Sequence, residues 1–445
     1  MWHDANISDE PFREHRRQVV NRLIIEHTLR THLPACLKRA TPILTCLIEN
    51  TGLHRALEEF KSGFQRSHRV VIDFDAVPLT DLYRISNDEL ISHTSSKYDL
   101  VFHYHLGAWR FYAAKAIWSV PLERANSLLS QLIPAVVQEC CYVIGQNATH
   151  TIIPINANSM VLVINKDLFK RYSEDFSAGP GSGEGLQAPR SWQQFKTILE
   201  YFDGKKNEKI YGIVPQGKRT GDSLYFEWCN FAYSFGGGVF LKDRGWEAWK
   251  TDSVILDHKN TIDATVFYKA IYDRCPPDAR AFDLDSKAQL KRFLQGDVAM
   301  AFMWTDLLSE LYHSDSGQNY STHVIPGTKS MVGGGVCLVH GASENRDLAQ
   351  KFVDGLLDID VQARLTVTGW CSGFRDVYRK PFVKELPYSG AVEASLSRAS
   401  YMIEAGPSSD RVRDLVGITL EKIVKHGADP EETLKGAASI LRKGL

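Results

Sequence analysis

Cys371 has the sequence spacing of a catalytic nucleophile, because it lies in the segment GWCSG at 369–373. This segment matches the G-x-nucleophile-x-G turn of hydrolases, in which a preceding strand presents the nucleophile and a histidine activates it. The preceding residues VQARLTVT instead have the pattern of a helix end followed by an irregular turn. We therefore expect a buried structural thiol, and an enzyme ranks below the binding functions considered next.

Two histidines near the end of a strand-like segment could ligate a metal ion. His103 and His105 form an H-x-H in YDLVFHYH, and alternate residues of a strand project to one side. No further group with metal-ligand spacing lies nearby in the sequence. The pair is better interpreted as the polar rim of a ligand cleft, and no metal or cofactor is expected.

Two glycine-rich segments resemble phosphate-binding loops only in part. GIVPQGKR at 212–219 has Arg219 where the P-loop requires Ser or Thr for magnesium, and Pro215 removes one backbone N–H. GPGSGEG at 179–185 has neither a strand before it nor a helix after it. We expect a strand end with a turn in the first case and a linker in the second.

The elements that would position a binding site begin at Thr41. Strand-like segments TPILTCLI, RVVIDFDAVP and YDLVFHY alternate with helical segments, which predicts a mainly parallel α/β sheet covered on both faces. Ligands in such sheets bind beyond the carboxyl ends of the strands. This rule selects four cleft candidates: Asn50, Tyr104, His105 and Trp109.

Further along the chain the pattern predicts a second sheet and an aromatic helix. The second sheet is expected to begin at HTIIPINANSMVLVINKDLF. The segment GDSLYFEWCNFAYSFGGGVF at 221–240 predicts a helix that a glycine run ends. Residues 10–39 have a helical pattern of apolar residues and are expected to form an accessory helix.

Length and composition limit the classes of function. A chain of 445 residues exceeds one hydrophobic core, so two domains are expected. A formal charge of −1, from 52 basic and 53 acidic side chains, argues against nucleic-acid or anionic-membrane partners. Eight cysteines without a C-x-x-C pair favour buried thiols, and no stretch reaches the ~20 apolar residues of a membrane span.

A series of segments resembles the family 1 extracellular solute-binding proteins of ABC transporters, the group that includes maltose-binding protein. The resemblance covers about 41–440 and follows the family's order and spacing. Its landmarks are LHRALEEFKSGF, RVVIDFDAVPLTDLY, YDLVFHY, MVLVINKDLF, PRSWQQFKTIL, FAYSFGGGVF, FLQGDVAMAFMW, IPGTKSMVGGGVCLVH, ENRDLAQKFVDGLL and TVTGWCSGFRDVY.

The resemblance implies an α/β, two-lobed periplasmic-binding-protein-like (type II) fold with a ligand cleft between the lobes. Hinge closure would trap the ligand. The implied division is 1–40 as an N-terminal helical extension, 41–152 plus 280–326 as lobe 1, and 153–279 plus 327–445 as lobe 2.

Position by position, the resemblance also implies ligand contacts. Asn156 and Asn158 match the family's first crossing into the second lobe, and Trp304 has the place of a Trp that stacks on a sugar ring. The remaining implied contacts are Tyr225, Glu227, Trp228, Gly334 and Arg375.

The implied function is that of the substrate-binding component of an ABC importer, which binds a sugar or polyol and is not an enzyme. Its partners would be the small-molecule ligand and a membrane permease, with the protein a monomer in the periplasm. The charged segment MWHDANISDEPFREHRR is not apolar like a secretory signal, so a cytoplasmic ligand-sensing or regulatory protein of the same fold remains the alternative. An opine or another charged small molecule is the alternative ligand.

Overall fold

In the computed structural model, the residues described are 41–89, 97–104, 117–118, 120–140, 142–144, 150–180, 183–241, 253–281, 283–327, 329–401 and 409–444. The accessory helix expected at 10–39 and the cleft candidates His105 and Trp109 lie outside these residues. Within them, strands and helices alternate along most of the chain.

The strands are β1 (Ile43–Glu49), β2 (Val71–Val77), β3 (Leu100–Tyr104), β4 (Ile117–Trp118), β5 (Val120–Pro121), β6 (Tyr142–Ile144), β7 (His150–Ile152), β8 (Asn156–Asn165), β9 (Tyr211–Ile213), β10 (Val298–Trp304), β11 (Tyr320–His323), β12 (Ser330–His340) and β13 (Ala399–Tyr401).

The helices are α1 (Gly52–His68), α2 (Leu79–Glu89), α3 (Leu122–Leu129), α4 (Pro134–Cys140), α5 (Lys166–Ala178), α6 (Trp192–Asp203), α7 (Ser223–Ser234), α8 (Lys259–Tyr272), α9 (Pro277–Ala281), α10 (Ser286–Phe293), α11 (Leu308–His313), α12 (Arg346–Leu356), α13 (Ile359–Val367), α14 (Pro381–Lys384), α15 (Ser389–Ser397), α16 (Ser409–His426) and α17 (Pro430–Gly444). Short 3₁₀ turns include Thr305–Leu307 after β10.

Two long strands join the halves of the principal sheet, whose order is β2-β1-β3-β12-β8-β10-β9. β1 pairs in parallel with β2 and β3, as the alternation of strands and helices predicts. β12 is antiparallel to β3 and β8, and β8 is antiparallel to β10, so the sheet is mixed rather than mainly parallel. The first residues of β8 pair with β12 and its later residues pair with β10, so this strand belongs to both halves.

Two apolar clusters form the core of the protein. The first includes Leu44, Ile72 and Phe102, and it continues beyond the boundary into the second half, where Phe293 of α10 and Met303 of β10 belong to it. The second is formed largely by aromatic residues of α6, α7 and α8 together with β10, α16 and α17. α7 is apolar on nearly all sides and almost completely buried, as expected for a helix inside a core.

The side-chain contacts differ from the lobe division that the resemblance implies. Phe352 of α12 contacts Phe64 and Phe102, with ring centroids 5.2 Å and 6.3 Å apart, so part of 327–445 packs on the first half. β10, within 280–326, pairs with β8 and β9, and Phe302 stacks on Phe195 of the second half. On these contacts we propose that the described residues of about 41–155 and 336–397 form the first lobe, and those of about 160–327 and 409–444 the second.

Candidate ligand-binding site

A cavity of about 360 Å³ lies between the two lobes. Its first wall is built by residues at the carboxyl ends of β1, β2 and β3, and its second wall by the segment between β9 and α7, the start of α10 and the end of β10. Asn158 and Gly333, on the two crossing strands, line it between these walls. The volume is near the lower end of the ~300–1,000 Å³ typical of small-molecule sites.

On the first wall, Glu49 and Tyr104 end two neighbouring strands. The Tyr104 hydroxyl donates a hydrogen bond to Glu49 Oε2. Burial raises the pKa of Glu49 to about 7, and the nearby negative charge of Asp306 adds to this effect, while the Tyr104 bond and Lys287 oppose it. Near neutral pH this carboxyl group is therefore close to its titration midpoint.

The second carboxylate, Asp306, lies in the turn that follows β10. Asn158 Nδ2 donates to Asp306 Oδ1 at 2.9 Å, and the Thr305 hydroxyl donates to Asn158 Oδ1 at 2.6 Å. Burial raises the pKa of Asp306, although Asn158 and the charges of Lys287 and Arg55 lower it. These bonds fix the amide and the carboxylate in one orientation toward the cavity.

Aromatic rings form the apolar part of the lining. Trp304, the last residue of β10, is half-buried and meets Phe226 edge to face, with ring centroids 5.8 Å apart. Tyr83 of α2 lies in the same lining on the first wall. Such rings can stack on the apolar C–H face of a carbohydrate.

Two lysines of the second wall also line the cavity. Lys218 Nζ pairs with Asp285 Oδ2 at 3.0 Å, and Asp285 caps α10 by accepting from the Ala288 N–H. Lys287 Nζ donates to the backbone carbonyl of Asn50 at 2.9 Å. Because these two residues lie on opposite walls, this bond joins the lobes.

Two further polar contacts join the lobes next to the cavity. Arg413 of α16 donates from Nη1 to the Tyr83 hydroxyl at 3.1 Å and to Asp222 Oδ2 at 2.6 Å. Its guanidinium carbon is 4.9 Å from the centroid of the Tyr83 ring. The second contact is an ion pair between Arg55 of α1 and Glu310 of α11, whose charged atoms are 3.0 Å apart.

Four of the sequence-predicted contacts come together in this lining: Asn50, Tyr104, Asn158 and Trp304. Gly334 is buried in β12 opposite Ala157, and its neighbour Gly333 lines the cavity instead. Asn156 is buried behind Tyr104, where its Oδ1 accepts from the Gly335 N–H at 2.7 Å. Ligand contact by the four lining residues stays a prediction.

Three predicted contacts of α7 lie in the core of the second lobe and do not line the cavity. Tyr225, Glu227 and Trp228 are fully buried. The Glu227 carboxylate accepts from the Tyr268 hydroxyl at 2.8 Å and from the Gln216 N–H at 3.1 Å. Phe226, one position along the helix, is the α7 aromatic that lines the cavity.

Arg375 also lies away from the cavity. Its Nη2 donates to the Ser130 carbonyl at 2.6 Å, on an exposed part of the first lobe. The Arg375 guanidinium therefore ties its turn to the backbone at Ser130, and it does not line the cavity.

Several lining residues were missed by sequence reasoning. Glu49 precedes the predicted Asn50, and Asp306 follows the predicted Trp304 by two positions. Lys218 was considered only within the phosphate-loop motif, and Lys287 was not considered. The rule of strand carboxyl ends could have found Glu49 and Asp306, because each lies at or just after such an end.

Cys371 of the catalytic hypothesis and His103 of the metal hypothesis are both buried, and His105 lies outside the described residues. Cys371 is buried with its Sγ 3.0 Å from the Thr305 hydroxyl, and burial raises the pKa of the thiol. His103 is buried, and its Nδ1 lies 2.9 Å from the Tyr104 carbonyl oxygen. In the described parts of the chain, no group of three or more His, Cys, Asp or Glu side chains could hold a metal ion.

The chain belongs to the bacterial extracellular solute-binding protein family, whose model matches residues 73–363. The structure has the type II periplasmic-binding-protein fold of that family, as the resemblance predicted. No protein of curated function matches the sequence. Over the residues that the structure describes, no helix is long and apolar enough to cross a membrane.

Solved structures of solute-binding proteins share this fold. A maltose-bound protein from T. maritima has a TM-score of 0.75 at 18% identity, over 91% of this chain and 100% of that chain. A ribitol complex from Agrobacterium radiobacter gives 0.73 at 18% identity, over 91% and 99%. A D-mannitol complex from Agrobacterium vitis gives 0.70 at 17% identity, over 91% and 98%. At these identities the likeness establishes the fold alone.

Proposed function

We propose that this protein is the substrate-binding component of an ABC importer and binds a sugar or polyol in the cavity between its lobes. The observation that carries the proposal is that one cavity combines a half-buried Trp304 with the amide of Asn158 and the carboxylates of Glu49 and Asp306. Similar folds hold maltose, ribitol and D-mannitol.

The lining suits the chemistry of such ligands. A sugar or polyol presents C–H groups that pack on aromatic rings and hydroxyl groups that both donate and accept hydrogen bonds. Trp304 and Phe226 supply the rings, the two carboxylates supply acceptors, and the Asn158 amide supplies an N–H donor, because its oxygen already accepts from Thr305 and from the Asp306 N–H. The cavity volume of about 360 Å³ favours a small ligand over a long oligosaccharide.

Ligand capture would use rotation of the lobes about the crossing strands. β8 and β12 carry lining residues and continue into both lobes, so bending near Asn158 and Gly333 would open the cavity. The bonds from Lys287 to Asn50 and from Arg413 to Tyr83 would break on opening. A ligand that contacts both walls would therefore favour the closed arrangement.

Because the family is extracellular, we place this protein outside the cytoplasmic membrane, where it would deliver ligand to a membrane permease. We expect it to do so as a monomer. The expected absence of turnover follows from this role, because the ligand is released unchanged.

The test is a thermal-shift screen of the purified protein against ribitol, D-mannitol, maltose and other sugars and polyols, followed by calorimetry. A ligand that binds only the native state raises the melting temperature by mass action. We expect Trp304→Ala to abolish the shift and Phe382→Ala, which removes a 44% exposed ring outside the cavity lining, to preserve it.

Absence of a shift with every compound, from a sample that melts cooperatively, would contradict the proposal. A shift that survives Trp304→Ala unchanged would place the ligand elsewhere on the protein.

A further inference from the structure

The two carboxylates of the cavity are held by neutral donors rather than by cations. The Tyr104 hydroxyl donates to Glu49, and the Asn158 amide donates to Asp306. Over the part of the chain that the structure describes, neither carboxylate forms an ion pair with a lysine or arginine. Neutral donors orient a carboxylate but leave its negative charge in place.

The two lysines of the lining have other partners. Lys218 is paired with Asp285, and Lys287 donates to the Asn50 carbonyl, although its charge still reaches both carboxylates. Three carboxylates and two lysines give the lining a formal net charge of −1. Above about pH 7, where Glu49 is mostly ionised, the excess negative charge therefore lies with Glu49 and Asp306.

Aromatic rings adjoin these carboxylates. Trp304, Phe226 and Tyr83 line the same cavity, and the faces of such rings attract organic cations. Glu49 and Asp306 line the same cavity, and the charge of Asp306 raises the pKa of Glu49, so the two negative charges repel each other there. A positive group between them would remove this repulsion, whereas hydroxyl groups would only hydrogen bond to each carboxylate.

We propose that the preferred ligand is a sugar- or polyol-sized molecule that carries a protonated amine, with the ammonium group bound by Glu49 and Asp306 and its carbon skeleton packed on Trp304. The inference rests on the proposed function, because it uses the same cavity and names the chemical class of its ligand.

The experiment compares matched pairs of probes by titration calorimetry at about pH 7.5. The pairs are 1-amino-1-deoxy-D-sorbitol with D-sorbitol, and D-glucosamine with D-glucose. Within each pair the skeleton is kept and the positive charge is removed. We expect the amine to bind about tenfold tighter or more, because an ammonium group adds attraction between opposite charges to the hydrogen bonds that a hydroxyl group can also make with the two carboxylates.

Isosteric variants assign the effect to the two carboxylates. Glu49→Gln keeps an acceptor for the Tyr104 hydroxyl, and Asp306→Asn keeps one for the Asn158 amide, while each removes a charge. Each variant is expected to lose most of the preference for amines and retain binding of the neutral partner. Glu385→Gln, on an exposed position outside the cavity, is the matched control, and melting temperatures of the free proteins report folding.

The pH profile adds a readout that a purely structural role would not change. The charged and titratable groups that face Glu49 are Tyr104, Asp306 and Lys287. As pH rises through about 7, Glu49 ionises, so affinity for 1-amino-1-deoxy-D-sorbitol should rise while affinity for D-sorbitol stays level. In Glu49→Gln, the affinity for 1-amino-1-deoxy-D-sorbitol should no longer rise with pH in this range.

The outcomes separate the two proposals. Equal or tighter binding of the neutral members overturns the amine inference and leaves the proposed function standing. Amine preference that survives in both carboxylate variants also overturns it. Absence of binding by every amine and every neutral compound overturns both.

Discussion

Arg413 of the second lobe donates a hydrogen bond to the hydroxyl of Tyr83 of the first lobe, across a distance of 3.1 Å. Arg413 is almost completely buried and also pairs with Asp222, so its position is fixed within its own lobe. Tyr83 lines the ligand cavity. This hydrogen bond therefore links a residue of the cavity lining in the first lobe to a side chain that is held in place within the second lobe.

We predict that Tyr83→Phe weakens ligand binding several-fold and shifts the free protein toward an open form. The variant keeps the ring over the guanidinium and removes only the hydroxyl that accepts from Arg413. A hydrogen bond to a charged group contributes about 1.5–3 kcal/mol, which favours the joined lobes. Small-angle scattering of the free protein should show a larger radius of gyration.

Tyr201→Phe is the control for this change, because its hydroxyl bonds Asp175 on the outer surface of the second lobe. Unchanged scattering and affinity in Tyr83→Phe would show that the Arg413 bond does not hold the lobes together.

Lys287→Met should weaken binding and raise the pKa of Glu49. The change removes the bond to the Asn50 carbonyl and a positive charge that lowers the Glu49 pKa. The methionine side chain keeps much of the apolar part of the lysine side chain, so the change removes mainly the charge and the hydrogen bond. Titration of the carboxyl carbon by NMR measures the shift, and Lys435→Met, at an exposed pair with Glu431, is the control. A Glu49 pKa unaffected by Lys287→Met would exclude this electrostatic coupling.

Glu227 makes stability depend on pH. Burial raises its pKa to about 8 in the folded protein, from a reference value of 4.5. Between these values the folded state binds more protons than the unfolded state, so the free energy of unfolding falls as pH rises from about 4.5 to about 8. Over this pH range, ionisation of Glu227 lowers the free energy of unfolding by an amount on the order of 3–5 kcal/mol.

Glu227→Gln should remove most of this pH dependence and stabilise the protein above about pH 8. The amide oxygen can still accept from the Tyr268 hydroxyl, and no charge is left to bury. Urea unfolding at a series of pH values checks the prediction, with Glu385→Gln as the exposed control. A variant whose stability curve parallels that of the wild type would rule out Glu227 as the cause.

The same residue shows where sequence reasoning fails. The resemblance implied that Glu227 contacts the ligand, whereas its carboxylate is buried in the second-lobe core and hydrogen-bonded there. Its partners, Gln216 and Tyr268, are 11 and 41 positions away, so the sequence pattern does not reveal them. Since α7 is buried on nearly all sides, periodicity could not select Phe226 over Glu227.

Strand ends place several of the predicted residues in the cavity lining, and their contact with a ligand stays a prediction. Asn50, Tyr104 and Trp304 follow or end strands whose apolar patterns are clear, and all three line the cavity. The mixed sheet was missed because β12 crosses from one lobe to the other and pairs antiparallel with β3, a contact between residues more than 200 positions apart. Local periodicity carries no information about such pairing.

The lobe division also depends on distant contacts, and Phe352→Ala tests it. Phe352 is fully buried and meets Phe60 and Phe64 of α1, with ring centroids 5.1 Å and 5.2 Å away. Loss of the ring should lower the free energy of unfolding by about 3–5 kcal/mol. Because these contacts lie in the first lobe, amide exchange should accelerate most in 43–77 and 100–104, and much less in 192–234.

Phe382→Ala, at a 44% exposed ring, should change neither stability nor exchange appreciably. Exchange that accelerates mainly in 192–234 would assign α12 to the second lobe, as the resemblance implied. Acceleration confined to the first lobe would support the division drawn from the contacts of Phe352, because a cavity weakens most strongly the elements that pack around it.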